Sequence, residues 1–250
     1  MFYPGLVSIS FRSLTPAEVL NTCKIAEIHY VEWGTDSHVK TPDAASDVFC
    51  AGKECGILPC SCGSYYKLGL GTRQDLATVL QIARSLKTNI VRIWGGNKGS
   101  TLLSKADLDR LAKEAYDAAE MADAQGIDLC LECHPNTITD SYESELSFLR
   151  LVDHPRLKTY WQPNQFESLS YNLEAAEALA PYTKMIHVFA WSATERFPLQ
   201  QHLAEWEQYL TCFNRTGATY GTLLEFMPDD SPSTLPREAD TLRALLSRFQ

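Results

Sequence analysis

Short apolar runs alternate along this chain with longer stretches in which apolar residues recur at helical spacing, and the rhythm continues almost from one end to the other. Leu6 to Ser10, Ile28 to Trp33, Ile57 to Ser61, Asn89 to Trp94, Ile127 to Cys133, Leu157 to Trp161, Met185 to Phe189 and Thr222 to Phe226 read as strands. The stretches between them read as helices, opening near Thr15 and then covering Pro42 to Cys55, Arg73 to Leu86, Ser104 to Ala124, Tyr142 to Val152, Asn172 to Leu179, Leu203 to Asn214 and Arg237 to Phe249. Local chemistry supports these limits. Thr15-Pro16-Ala17-Glu18 combines a capping hydroxyl, proline in the first turn and a carboxylate three residues on, and Gly126 closes the long fourth helix. Strands that are apolar throughout belong to parallel sheets covered on both faces. Eight successive strand–helix pairs in 250 residues predict an α/β fold, a single (β/α)8 TIM barrel, with residues 1–250 as one domain.

In such a barrel the chemistry gathers where the strands end. The fifth strand breaks into Cys133-His134-Pro135-Asn136, and its alternation puts Cys130, Glu132 and His134 on one face and Leu129, Leu131 and Cys133 on the other. The last four strands end in Glu132, Gln162, His187 and Glu225. Each residue alone has an ordinary explanation: a strand-end salt bridge for the glutamates, a satisfied core histidine for His187. Together they form a ring of oxygen and nitrogen donors on four adjacent strands. Neither glutamate has a basic residue in its own strand, so two inward carboxylates would lie buried without a counterion unless a cation joined them. The expected cofactor is therefore one divalent metal ion held by Glu132, Gln162, His187 and Glu225. Mixed oxygen and imidazole donors without thiolate point to Mn, Mg, Co or Zn. Glu32 and Arg92 should also face inward, on alternate strands of the same interior, and pair there as structure.

The overall charge narrows the partners. At −9 the chain repels nucleic acid and anionic membranes, and no window is long and apolar enough for a membrane span. Its first residues lack a charged segment followed by a long apolar core, so a cytoplasmic protein is expected. The eight cysteines lack paired zinc-finger spacing, and Cys130 and Cys133 point to opposite faces of one strand. They read as reduced, mostly buried small hydrophobes.

Ser8-x-Ser10-Phe11-Arg12, Val31-Glu32-Trp33-Gly34, Arg92-Ile93-Trp94-Gly95-Gly96, Leu131-Glu132-Cys133-His134, Tyr160-Trp161-Gln162-Pro163, Ile186-His187-Val188 and Leu224-Glu225-Phe226 together resemble the xylose isomerase-like barrels, a family of sugar phosphate isomerases and epimerases. The resemblance covers nearly the whole chain. The Glu, Asp, His and Glu ligands of the ketose 3-epimerases fall on Glu132, Gln162, His187 and Glu225, with Gln in place of Asp. The resemblance also implies that Glu132 and Glu225 are the catalytic acid and base. A cation held by two substrate oxygens stabilises the charge that develops when a proton leaves the carbon next to a carbonyl. The expected activity is isomerisation or epimerisation of a small-molecule sugar or sugar phosphate.

Residues on the loops after the strands are candidates for substrate binding: His38, Tyr65, Trp94, His134 and Arg196, with aromatic rings suited to the apolar side of a sugar. Lys67, Arg73 and Lys98 are candidates for a phosphate or are surface charges. Dehydration of a cyclic polyol such as an inosose is the alternative reaction at the same metal, and a non-catalytic sugar-binding barrel is the alternative without one. A DNA-repair barrel of the endonuclease IV type needs a multi-zinc, His-rich and Asp-rich cluster and a basic face, which six histidines and a charge of −9 do not supply. A homo-oligomer is left open.

Overall fold

The computed structural model describes residues 1–192 and 194–249. Its strands are Phe2–Val7 (β1), Tyr30–Gly34 (β2), Leu58–Lys67 (β3), Ile90–Trp94 (β4), Asp128–Glu132 (β5), Leu157–Trp161 (β6), Thr183–Val188 (β7) and Tyr220–Leu224 (β8). Helices Pro16–Ile25 (α1), Pro42–Glu54 (α2), Arg73–Ser85 (α3), Lys105–Asp123 (α4), Tyr142–Val152 (α5), Leu169–Leu179 (α6), Leu203–Asn214 (α7) and Leu235–Leu246 (α8) follow them in turn. The strands run parallel and close in chain order, β1 pairing with both β2 and β8. This is the (β/α)8 barrel that the alternating pattern predicts.

Side-chain capping starts most of the helices where the sequence says they should. Thr15, Thr72 and Ser104 each accept from the backbone three residues on, while Glu18, Asp75 and Asp107 bond back to the cap nitrogens of α1, α3 and α4. The barrel buries two apolar layers. The larger lies between strands and helices and includes Leu129, Leu131, Ile186 and Trp161. The smaller fills the interior with Val7, Ile9, Cys130, Tyr160, Met185 and Leu223. Alternation along β5 therefore sends Leu129 and Leu131 outward and Cys130 inward, as expected. All eight cysteines are free.

Several limits move relative to the pattern, each for a physical reason. The chain leaves β1 at Val7 and forms a 3₁₀ turn over Ser8–Phe11. There Ser8 Oγ accepts from Gly34 N at 2.9 Å and Ser10 Oγ from Phe226 N at 2.7 Å, so the two serines cap neighbouring loops instead of continuing the strand. β8 starts earlier, at Tyr220, because it pairs with β1 from Phe2↔Tyr220 onward, and it ends at Leu224 because Phe226 adopts a φ of 56°. β7 likewise starts and ends earlier than its apolar run, and β3 runs on to Lys67. α6 begins at Leu169, capped by Ser168, and the last helix gives way to a 3₁₀ turn over Ser247–Phe249. No described helix is long and apolar enough to cross a membrane.

Candidate active site

Above the apolar plug the barrel interior turns polar, and four backbone devices hold the donors there. Glu132 is the last residue of β5, and its carbonyl accepts from Thr139 Oγ1 at 2.5 Å, which ties the following loop back to the strand end. Gln162 comes one residue after β6, and its Nε2 donates to Cys133 O at 3.0 Å, which leaves Oε1 facing His187 Nδ1 at 3.1 Å. His187 lies within β7. Glu225 follows β8, its N donating to Val188 O at 3.0 Å, while the left-handed residue after it is held by Ser10. A phenylalanine in that conformation costs about 1 kcal/mol or more, and such outliers collect at functional sites.

The four donors converge. His187 Nδ1 is 3.4 Å from Glu225 Oε2 and 3.7 Å from Glu132 Oε1, in addition to Gln162 Oε1. Glu132, His187 and Glu225 each offer one carboxylate or imidazole atom, these three atoms lie within 4.8 Å of one another, and all three residues are buried. Three oxygens and one imidazole nitrogen aimed at one point fit a divalent cation of the Mn, Mg, Co or Zn type. His187 Nε2 has no hydrogen-bond partner and lies 3.7 Å from Glu32 Oε2. Glu32 thus stands behind the imidazole where a metal-bound histidine usually keeps a carboxylate that sets its tautomer. Burial would push the His187 imidazole down, but Glu225 and Glu32 outweigh it and hold it at about 10. Glu225 goes the other way: His187 more than offsets the effect of burial and keeps its carboxyl below the usual range.

Glu32 and Arg92 pair as the sequence predicts, Arg92 Nε donating to Glu32 Oε1 at 3.0 Å with both side chains fully buried. Ser61 Oγ donates to Glu32 Oε2 at 2.9 Å. Burial alone would raise the Glu32 carboxyl, yet Arg92 and His187 hold it down at about 2. The pair is not confined to structure, however. Arg92 Nη1 also donates to Glu132 Oε2, so one guanidinium forks between two carboxylates. This corrects the expectation that Glu132 lacks a basic neighbour. The neighbour comes from β4, next to β5 in the barrel, where a search within each strand could not find it. β3 makes room for the fork with a glycine: a Cβ on Gly63 would lie 2.5 Å from Glu32 Oε1 and 3.1 Å from Arg92 Nη2.

A cavity of about 350 Å³ opens over these residues, bounded by Glu132, Gln162 and Glu225 below and by Tyr65, Trp94, His134, Trp191 and Phe226 at the sides. Trp94 stacks on His134 with centroids 4.0 Å apart, Tyr65 leans against Trp94, and Lys67 Nζ sits 4.4 Å above the Trp94 ring. Tyr65, Trp94 and His134 thus line the same cavity as Glu132, Gln162 and Glu225. Arg196 is one layer out. It pairs with Asp230 and stacks 5.1 Å from the Trp191 centroid and 4.8 Å from that of Phe226, bracing the aromatic wall.

His38 departs from expectation. It is buried, with Nδ1 against Ser8 Oγ at 3.0 Å and Nε2 against Leu14 O at 3.1 Å, so both ring nitrogens are spent on the loops below the mouth. Of the candidate phosphate cations, Lys98 faces Asp107 in a separate groove and Arg73 is exposed at the start of α3. Arg12 was legible only as part of a motif. Its Nη2 donates to Tyr65 OH at 2.6 Å and its Nη1 to Asp36 at 3.0 Å, at the rim of the cavity. Phe226 was likewise legible only as part of a motif, and Trp191 carried no signal in the sequence beyond its aromaticity.

Comparison with known proteins agrees with the fold. The family model described as xylose isomerase-like TIM barrel matches residues 70–245. A 3-dehydroshikimate dehydratase from Bacillus anthracis is 30% identical over 138 residues, which are 54% of this chain and 48% of that protein, so the match spans about half of the relative's length. The crystal structure of the probable 3-DHS dehydratase involved in petrobactin synthesis from Bacillus anthracis superposes with a TM-score of 0.81 at 18% identity, covering 97% of this chain and 99% of that one. The D-psicose 3-epimerase of Clostridium cellulolyticum H10, crystallised with D-tagatose, gives a TM-score of 0.72 at 14% identity, covering 97% and 99%. At these identities the two structural matches speak for the fold.

Proposed function

The chain belongs to the xylose isomerase-like TIM barrel family, and from that premise we propose that it is a divalent-metal-dependent enzyme that removes a proton from a carbon next to a carbonyl in a small sugar-like substrate. The observation that carries this reading is the convergence of Glu132, His187 and Glu225 on one buried point beneath an aromatic-walled cavity. Glu132, Gln162, His187 and Glu225 would hold the cation, which supplies positive charge beside the substrate carbonyl and so acidifies the neighbouring carbon. Tyr65, Trp94 and His134 offer flat faces and polar edges to the carbon skeleton and hydroxyls. A carboxylate of the ring takes the proton.

The fate of the proton sets the reaction. Returned to the adjacent carbon it gives isomerisation of a sugar or sugar phosphate. Returned from the opposite side it gives epimerisation. If a hydroxyl leaves from the next carbon instead, the reaction is dehydration, a second reading favoured by the 30% identity to a 3-dehydroshikimate dehydratase. A panel in deuterated water tests these outcomes together: Mn²⁺-loaded protein with D-fructose, D-psicose, D-fructose 6-phosphate, an inosose and 3-dehydroshikimate, followed by proton NMR. Metal-dependent deuterium uptake or product formation with at least one compound is expected. Silence across the panel from protein shown to hold Mn²⁺ would overturn the proposal.

A further inference from the structure

The two glutamates of the ring are not equivalent. Glu132 has Oε2 taken by the Arg92 guanidinium and turns only Oε1 toward His187, at 3.7 Å. Glu225 turns Oε2 to His187 at 3.4 Å, and no described residue takes a hydrogen-bonding position on its Oε1, although the residue lines the cavity. Arg92 cannot drift from Glu132, because its Nε is fixed by Glu32, which Ser61 fixes in turn. A planar fork held at one end keeps its other end in place far better than a flexible ammonium would.

We propose that Arg92 is a positioning residue that reserves Glu132 for holding the cation and leaves Glu225 as the single group that takes the substrate proton. The inference rests on the metal-dependent reading above and narrows it. With one base on one side of the substrate, the proton leaves and returns on the same face. The chemistry is then transfer between adjacent carbons or elimination, in which the C–H electrons form the double bond, hydroxide departs from the next carbon and the proton held by Glu225 completes the water released. Epimerisation, which needs a second proton carrier on the opposite face, is excluded.

Two sets of measurements test this, and the first needs no substrate. Arg92→Lys can still reach Glu32 but cannot fork, so it frees Glu132 Oε2; the double variant Glu32→Gln/Arg92→Met frees it while removing the charge of Glu32 together with that of Arg92. In both, Mn²⁺ titrated by calorimetry should bind about tenfold more tightly, because Glu132 can offer its second oxygen. A merely structural arginine would weaken metal binding along with the fold. Mn²⁺ affinity that is unchanged or weaker in the folded variants would overturn the proposal. The second set uses whichever compound of the panel the wild type turns over. At saturating Mn²⁺, Glu225→Gln should lose about 10² to 10⁴ in deuterium exchange, the size of a general-base contribution, and at least about tenfold more than Glu132→Gln loses. Equal losses, or formation of a C3 epimer by the wild type, would overturn it. If the wild type turns over none of the panel, the functional reading fails and the Mn²⁺ titrations alone decide the role of Arg92.

Discussion

Arg92 on β4 donates through Nη1 to Glu132 at the end of β5 and through Nε to Glu32 on β2, so a single buried guanidinium joins a residue of the metal point to a carboxylate behind it. Burial opposes its charge, but Glu132 and Glu32 outweigh this and hold the Arg92 proton more firmly than usual. The site is therefore a connected charge network, and disturbance at its edge should be felt at its centre.

Gly63 tests that connection from outside the donor set. A methyl group there would meet Glu32 Oε1 at 2.5 Å and Arg92 Nη2 at 3.1 Å. Gly63→Ala should destabilise the fold by about 1 to 3 kcal/mol, as overpacking does, and by loosening the Arg92 fork on Glu132 should also tighten Mn²⁺ binding, although residue 63 donates nothing to the ring. Chemical denaturation paired with a Mn²⁺ titration checks both.

An ion bound only by the folded chain stabilises it by mass action, about 2.7 kcal/mol at a hundredfold excess over Kd. Added Mn²⁺ should therefore raise the melting temperature of the wild type. His187→Ala removes the one donor atom that faces the other three ligands, and its melting temperature should not respond to Mn²⁺. Differential scanning calorimetry with and without the ion reads the difference.

Away from the site, Glu145 on α5 gives the fold a dependence on pH. It is fully buried beside Thr159, whose single hydroxyl proton also has Leu131 O as an acceptor at 3.0 Å, and its Oε2 has no partner. Burial raises its carboxyl from 4.5 to about 8, against the smaller pull of Thr159. Between those values the folded chain holds a proton that the unfolded chain has lost. Its contribution to stability is thus complete below about pH 4.5, falls as pH rises and is gone above about pH 8, with a slope of at most about 1.4 kcal/mol per pH unit. Glu145→Gln should flatten that decline when urea denaturation is followed from pH 5 to 8.

Trp94 forms one wall of the cavity and stacks on His134. Its contact with a sugar face would be the same in ground and transition states, so Trp94→Ala should raise KM with little change in kcat. Steady-state kinetics on the compound turned over separates this from a catalytic effect.

The sequence made the scaffold legible where local chemistry and periodicity agree. Tyr142–Val152, Leu157–Trp161 and Leu203–Asn214 lie where their patterns put them. The convergence of Glu132, His187 and Glu225 was legible because strand ends in a parallel barrel point to one mouth. Contacts between loops were not. Arg12 meets Tyr65 across 53 positions, and His38 turns down to Ser8 and Leu14, because the paths of those loops are set by the serines of the turn after β1 and not by any periodic signal. Arg92 fell between: its inward face followed from alternation, but its reach to Glu132 depends on the stagger of β4 against β5, which pairs Trp94 with Glu132.

The most direct test is anomalous diffraction from crystals soaked in Mn²⁺. The account predicts one strong peak per chain, within bonding distance of Glu132 Oε1, Gln162 Oε1, His187 Nδ1 and Glu225 Oε2, with Arg92 still on Glu132 Oε2. A peak elsewhere, or none at this point in fully soaked crystals, would contradict it.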